Sequence, residues 1–215
     1  MGSNENRMKI GIMGGTFNPV HLGHLLLAEH AREELGLDEV WFVPTGCSYM
    51  KEQQLKHGTG MPSAQERFFM TELAIGGIPG YRCLDLEIRR TGNTYSYETL
   101  ETLKNTCQDK DFFFIFGADC LYSIDSWKEP GRIFNACHVV AAVRENASME
   151  KMEETRQYLT AKYQAKITLL PFRNLEISST EIRKRVSVGK SIRFMVPQEV
   201  EKYILEKGFY RDENN

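Results

Sequence analysis

Six short apolar runs, Lys9 to Met13, Val40 to Val43, Tyr81 to Leu86, Phe112 to Phe116, His138 to Val143 and Ile167 to Leu170, alternate with longer amphipathic stretches. No Asn-Gly or Asp-Gly turn joins one run to the next, so consecutive strands are connected by crossovers and not as tight hairpins. The stretches between them, His21 to Leu35, Ala64 to Ala74, Tyr97 to Cys107 and Met149 to Tyr163, repeat apolar residues three and four apart, which is the helical period. Runs such as Phe112-Phe113-Phe114-Ile115-Phe116 are apolar on both faces, as parallel strands covered by helices require. The expected fold is therefore α/β, a doubly wound parallel sheet with right-handed crossovers. A chain of 215 residues can bury one substantial core, so a single domain over 8–210 is expected, with 1–7 and 211–215 as disordered tails. The longest irregular segment, Pro44 to Pro62, is the length of a functional loop.

Charge and cysteine usage narrow the chemistry. A net charge of -2 gives no global basic field for a nucleic-acid backbone, and any anion site must be local. Cys47, Cys83, Cys107, Cys120 and Cys137 form no Cys-x-x-Cys pair and read as reduced, packed thiols. Met1 to Arg7 lacks a secretory apolar stretch, and Phe112 to Phe116 is too short to cross a bilayer. A cytoplasmic protein with no nucleic-acid or membrane partner is expected; the oligomeric state is open, a homo-oligomer included.

In open parallel sheets ligands bind beyond the carboxyl ends of the strands, and two motifs fall there. Behind the first run, Gly14-Gly15 allows a tight turn, Thr16 and Phe17 follow, Asn18 suits a helix cap and Pro19 a first helical position. A helix start of this kind is a ready anion site, and His21 and His24, three apart, reach the same anion. A metal reading is weaker because no third ligand is evident, and the plainer alternative is one capping and one packing histidine. The second motif is Ile177-Ser178-Ser179-Thr180-Glu181-Ile182-Arg183, where Ser178 and Glu181 fit a capping box. Arg183, Lys184 and Arg185 then crowd the first two turns of a helix, where its dipole disfavours cations unless an anion compensates them. A polyphosphate is such an anion.

Together His21-Leu22-Gly23-His24 and Ile177 to Arg183 resemble the two signatures of the HxGH nucleotidyltransferase superfamily, and so imply a Rossmann-like nucleotidyltransferase fold with C-terminal helices. Within it the chain resembles the bacterial nicotinate-nucleotide adenylyltransferases through Phe42 to Lys51, Gly92 to Leu100, Phe114 to Glu129 and Val196 to Tyr210. The resemblance implies transfer of the adenylyl group of ATP to nicotinate mononucleotide, giving deamido-NAD and pyrophosphate in NAD biosynthesis. Such in-line chemistry is catalysed by positioning and charge neutralisation, and needs no nucleophilic side chain.

By the same resemblance His21, His24, Lys51 and Arg183 are catalytic. ATP would meet Gly14, Gly15, Thr16, Phe17, His21, His24, Asp119, Arg144, Ile177, Ser178, Ser179, Thr180 and Arg183, with Mg2+ carried on the triphosphate by phosphate oxygens and water. Nicotinate mononucleotide would meet Gly15, Thr16, Asn18, Lys51, Thr94, Tyr95 and Trp127, the last stacking on the pyridine ring. Plainer roles stand beside these: Asp119 as a helix cap, Trp127 packing a loop onto the sheet, Arg144 as a solvated loop cation. The chain departs from the family at Ser48-Tyr49-Met50, which replaces Pro-Pro-His before Lys51, and at Ser96 and Glu98. The alternatives are the same chemistry on nicotinamide mononucleotide or another phosphate acceptor, and a non-catalytic nucleotide-binding module.

Overall fold

The computed structural model describes residues 7–48, 60–144, 148–173 and 175–211. Its first half runs β1 (Met8–Gly15), α1 (Leu22–Leu35), β2 (Glu39–Pro44), β3 (Cys47–Ser48), α2 (Ala64–Ile75), β4 (Tyr81–Cys83), β5 (Asn93–Thr94) and α3 (Ser96–Thr106). There follow β6 (Lys110–Gly117), α4 (Ala118–Ser123), a 3-10 turn (Ile124–Ser126), α5 (Pro130–Ala136), β7 (His138–Arg144), α6 (Met149–Tyr163), β8 (Ile167–Phe172), α7 (Ser179–Ser187) and α8 (Gln198–Lys207). Six strands form one sheet in the order β4-β2-β1-β6-β7-β8, and β3 pairs with β5 in a small second one. The pairings β1–β6, β6–β7 and β7–β8 are all parallel, as the missing hairpin signals require. Strand order changes direction between β1 and β6, and the carboxyl ends at such a switch point are where open α/β sheets bind ligands.

The chain gathers into two compact units. One comprises Met1–Gly14, Leu27–Trp41 and Tyr95–Asn174. Its core is the β1–β6–β7–β8 sheet, where Ile10, Ile115, Val139, Val140 and Ala141 are fully buried. In the central strand β1, a side chain at Gly11 would come within 2.8 Å of Ile115 and 2.9 Å of Leu37, so the packing of neighbours demands glycine there. Arg7, expected in a tail, is ion-paired to Asp111 at 2.9 Å.

The other unit comprises Gly15–Leu26, Phe42–Thr94 and Leu175–Asn215. Its helix α2 opens on a complete capping box, in which Ser63 Oγ accepts the Glu66 N–H and the Glu66 carboxylate accepts the Ser63 N–H. The buried face of α2 carries Arg67, Met70, Thr71 and Ala74, and its Phe69 ring meets Tyr203 of α8 edge-on at 4.9 Å.

Two boundaries differ from the sequence expectation. The strand expected over Tyr81 to Leu86 ends at Cys83, although the Leu84 N–H still bonds the Phe42 carbonyl at 2.8 Å. The first helix starts at Leu22, so Asn18 does not cap it and Pro19 is not its first residue. Phe17 takes a left-handed backbone (φ 46), the Asn18–Pro19 peptide is cis, and Asn18 and Pro19 lie in a turn ahead of the helix.

Candidate active site

The turn after β1 is fixed by side chains from far along the chain. The Asn18 side chain is buried and accepts the Tyr210 hydroxyl at 2.7 Å, while the Asn18 carbonyl accepts Arg183 Nη1 at 2.8 Å. Next to it the Ser179 hydroxyl donates to the Pro19 carbonyl at 2.9 Å. The second motif is thus latched onto the first by hydrogen bonds to consecutive backbone carbonyls. An amino-terminal turn that looks like a helix cap in one dimension is a docking point for α7 in three.

His21 precedes the first residue of α1 and His24 lies in its first turn. Their rings stack at a centroid separation of 3.7 Å, and the edge of Phe17 closes the other side of His24 at 5.0 Å. Gly23 permits this: a side chain at Gly23 would stand 3.1 Å from His21 Nδ1 and 3.2 Å from Cε1. Gly15 serves in the same way, since a side chain there would lie 3.0 Å from the Phe17 ring. The His21 N–H donates to His24 Nδ1 at 3.2 Å, so that nitrogen is an acceptor and the ring proton of neutral His24 sits on Nε2. His21 is 7 % exposed, its Nδ1 has no hydrogen-bond partner, and burial pushes its pKa down to about 4. The pair is therefore read with His21 neutral at ordinary pH.

The expected anion site at the start of α1 is also changed in character. The His21 N–H is engaged by His24 and the Leu22 N–H donates to the Met195 carbonyl at 2.9 Å. Two of the N–H groups that a helix start offers an anion are therefore already bonded. At α7 the capping role of Ser178 stands: its Oγ accepts the Glu181 N–H at 3.1 Å and keeps its own proton to donate. Thr180 Oγ1 accepts Arg183 Nη2 at 3.2 Å and likewise keeps a donor. Ser179 has placed its proton on Pro19 and holds the two motifs together instead. Ile177, with Ser178, leads the chain into α7, and the Ile177 carbonyl lies 3.7 Å from where a Gly23 side chain would begin.

Thr94 is buried in the same unit, on the β3–β5 ribbon, where Ser48 pairs with it. Lys51 lies outside the described residues. A residue that the sequence reading passed over is Arg67, 2 % exposed on α2. It was visible as the one charge on the stripe Arg67, Met70, Thr71, Ala74, spaced three, four and seven along a helix.

Gly14, Tyr95, Asp119, Trp127 and Arg144 belong to the first unit. Gly14 packs against Phe114, which would lie 3.2 Å from a side chain placed there. Asp119 is exposed in the first turn of α4 and is not its cap; Gly117 occupies that position. Tyr95 caps the start of α3 without a side-chain bond, and its ring stacks on Tyr97 at 5.9 Å. Trp127 is half-buried after the 3-10 turn, its Nε1 donating to Ser123 Oγ at 3.3 Å and its ring against Phe114 and Phe116 at 6.4 and 6.1 Å. Beside it, Asp125 accepts from Tyr163, Tyr158 and Lys162, which hold its carboxyl below the usual carboxylate range. Arg144 ends β7. Among the described residues no group of three or more His, Cys, Asp or Glu could hold a metal ion.

Comparison with known proteins places the chain in a family. Residues 12–185 match the cytidylyltransferase-like family. The chain is 41 % identical over 202 residues to the probable nicotinate-nucleotide adenylyltransferase of Lachnoclostridium phytofermentans, covering 94 % of this chain and 98 % of that one. It belongs to this family. A second relative bearing the same name, from Clostridium botulinum (strain Eklund 17B / Type B), is 39 % identical over 205 residues, covering 95 % of this chain and 99 % of the other. The fold is that of the nicotinic acid mononucleotide adenylyltransferase of Plasmodium falciparum complexed with NaAD, with a TM-score of 0.74 at 21 % identity over 94 % of this chain and 97 % of that one. Family members of this length and the α/β sheet described above therefore coincide.

Proposed function

We propose that this chain transfers the adenylyl group of ATP to nicotinate mononucleotide, releasing pyrophosphate and forming deamido-NAD. A phosphate oxygen of the mononucleotide attacks the α-phosphorus of ATP, and the bond from that phosphorus to the oxygen bridging to the β-phosphate breaks in line. The observation that carries this reading is the latch of Ser179 and Arg183 onto Pro19 and Asn18, which brings the His21–His24 pair and the start of α7 into one structure.

In this reading His24 donates from Nε2 to a phosphate oxygen, and neutral His21 supports it from the stacked position. Hydroxyls of Ser178 and Thr180, with the guanidinium of Arg183, hold the β- and γ-phosphates as charge gathers on the leaving pyrophosphate. Lys51 is assigned the role of a further cation. Magnesium is assigned to the triphosphate, where it would neutralise phosphate charge, and the donor set offered here, imidazoles, hydroxyls and cations, suits phosphate better than a bare divalent ion. Trp127 is assigned the pyridine ring, with Thr94 and Tyr95 offering backbone N–H groups to its carboxylate. Asp119 and Arg144 are assigned to adenosine. Thiols at Cys83, Cys107 and Cys137 that form no disulfide support a cytosolic setting, and no described helix is long and apolar enough to cross a membrane.

Pyrophosphate release from ATP and magnesium, measured in parallel with the acid and amide mononucleotides, tests the assignment. The acid should be the faster acceptor. A faster amide reaction overturns the nicotinate assignment, and no release with either acceptor favours a binding module.

A further inference from the structure

Arg67 is a buried charged side chain whose hydrogen bonds are aimed at backbone. Nη1 donates to the Thr16 carbonyl at 2.5 Å, and Nη2 to the Thr45 and Gly46 carbonyls at 2.6 and 3.1 Å. These carbonyls lie on two separate segments, the turn after β1 and the chain leaving β2. A second strap joins the same segments, the Thr45 N–H donating to the Gly15 carbonyl at 2.8 Å. The fit leaves no slack: a side chain at Gly46 would overlap the Glu87 carbonyl, 2.2 Å away.

Stability alone is a poor reason for this arrangement. Burial lowers the pKa of the guanidinium, opposed by the nearby Tyr210 and Glu87, so the cation is held there at a cost. Methionine cannot hold three carbonyls, and lysine, a point charge without a planar fork, cannot hold them in this geometry. The segments it joins are those the reaction uses. Thr16 lies between Gly15 and Phe17, whose ring backs His24, and Thr45 and Gly46 open the segment that runs on to Lys51.

We propose that Arg67 is a positioning residue, which sets the turn bearing His21 and His24 in register with Thr45 and Gly46 at the end of β2. The proposal rests on the adenylyltransferase reading for its effect on turnover, and on geometry alone for its effect on the backbone. Removing the fork frees one segment to drift against the other, and drift of about 1 Å can cost roughly 100-fold in an in-line reaction.

The test uses Arg67→Met, Arg67→Lys and Arg67→Ala in the full chain. Met and Lys variants should still fold, with a melting temperature lowered by the carbonyls that lose their donor, while kcat falls about 100-fold, more than KM changes for either substrate. Millimolar methylguanidinium should restore part of the activity of Arg67→Ala and leave wild type unaffected. Hydrogen exchange needs no turnover: the Thr45 amide should exchange about tenfold faster in the variants, with amides of β6 and β7 unchanged. A folded variant with wild-type kcat and an unchanged Thr45 amide overturns the proposal. So does the failure of both Met and Lys variants to fold, which would make Arg67 a stability residue. If the wild type is silent with every acceptor, the functional reading fails while the amide exchange still decides the positioning role.

Discussion

Gly23 is where a single hydrogen atom separates packing from chemistry. The third position of the His-Leu-Gly-His signature is flanked by the His21 ring on one side and the Ile177 carbonyl on the other, with 3.1 Å and 3.7 Å of room for a side chain. Helix propensity favours alanine there by roughly 0.5–1 kcal/mol. Gly23→Ala should therefore hold or raise the melting temperature while turnover falls about 10-fold or more, because the imidazole must shift by a few tenths of an ångström from its stack on His24. Unchanged turnover in a stable Gly23→Ala protein would remove His21 ring placement from the mechanism. The histidine pair itself was legible from residue types and spacing, since two imidazoles behind a double glycine at a strand end have few other uses. Arg67 was not, because its meaning lies in three carbonyls that no motif marks.

At the scale of elements, reading succeeded where periodicity had room to show itself. β6 and β7 are apolar on both faces for five residues or more, and α6 runs from Met149 to Tyr163 as its spacing predicts. β3 and β5 are two residues each, too short to display any period, and α4 and α5 are single turns or little more. The start of α1 misled for a physical reason: Asn18-Pro19 carries the local signature of a cap, but tertiary hydrogen bonds from Tyr210 and Arg183 override it. Tyr210 is buried, burial pushes its pKa up, and its hydroxyl has the Asn18 Oδ1 as acceptor. Tyr210→Phe leaves that buried oxygen unpartnered, at a cost of about 1–3 kcal/mol. Thermal melting should drop by roughly 2–4 °C per kcal/mol in a chain of this size, and an unchanged melting temperature would show that water replaces the hydroxyl.

The whole molecule carries little net charge, so its pH response is set by particular groups. His21 has its pKa pushed down to about 4, and His138 is also lowered, by burial and by Lys166. An unfolded histidine titrates near ~6.5, so between there and about 4 the unfolded chain binds protons the folded chain refuses. Stability consequently falls as pH drops through that window, with His21 alone contributing about 2 kcal/mol of the loss by pH 5. Carboxylates held low by cations, Glu101 by Arg132 and Glu153 by Arg156, add their loss only at more acidic pH. Melting temperatures at pH 7 and 5 should differ less in His21→Asn than in wild type; equal slopes would mean that His21 is not buried neutral.

The general plan, a parallel sheet flanked by helices, followed from alternation alone. The division into two units did not, because each is stitched from three separated stretches and nothing local announces where one hands over to the other.

The bond between Asn18 and Tyr210 spans 192 residues of chain. On a ribosome adding about 5–20 residues per second, the turn behind β1 emerges roughly 10 to 40 s before the hydroxyl that completes it. A half-made chain can build most of its sheet in that interval, while the Asn18 side chain still waits for its donor. That buried oxygen finds its hydroxyl only once synthesis has passed residue 210.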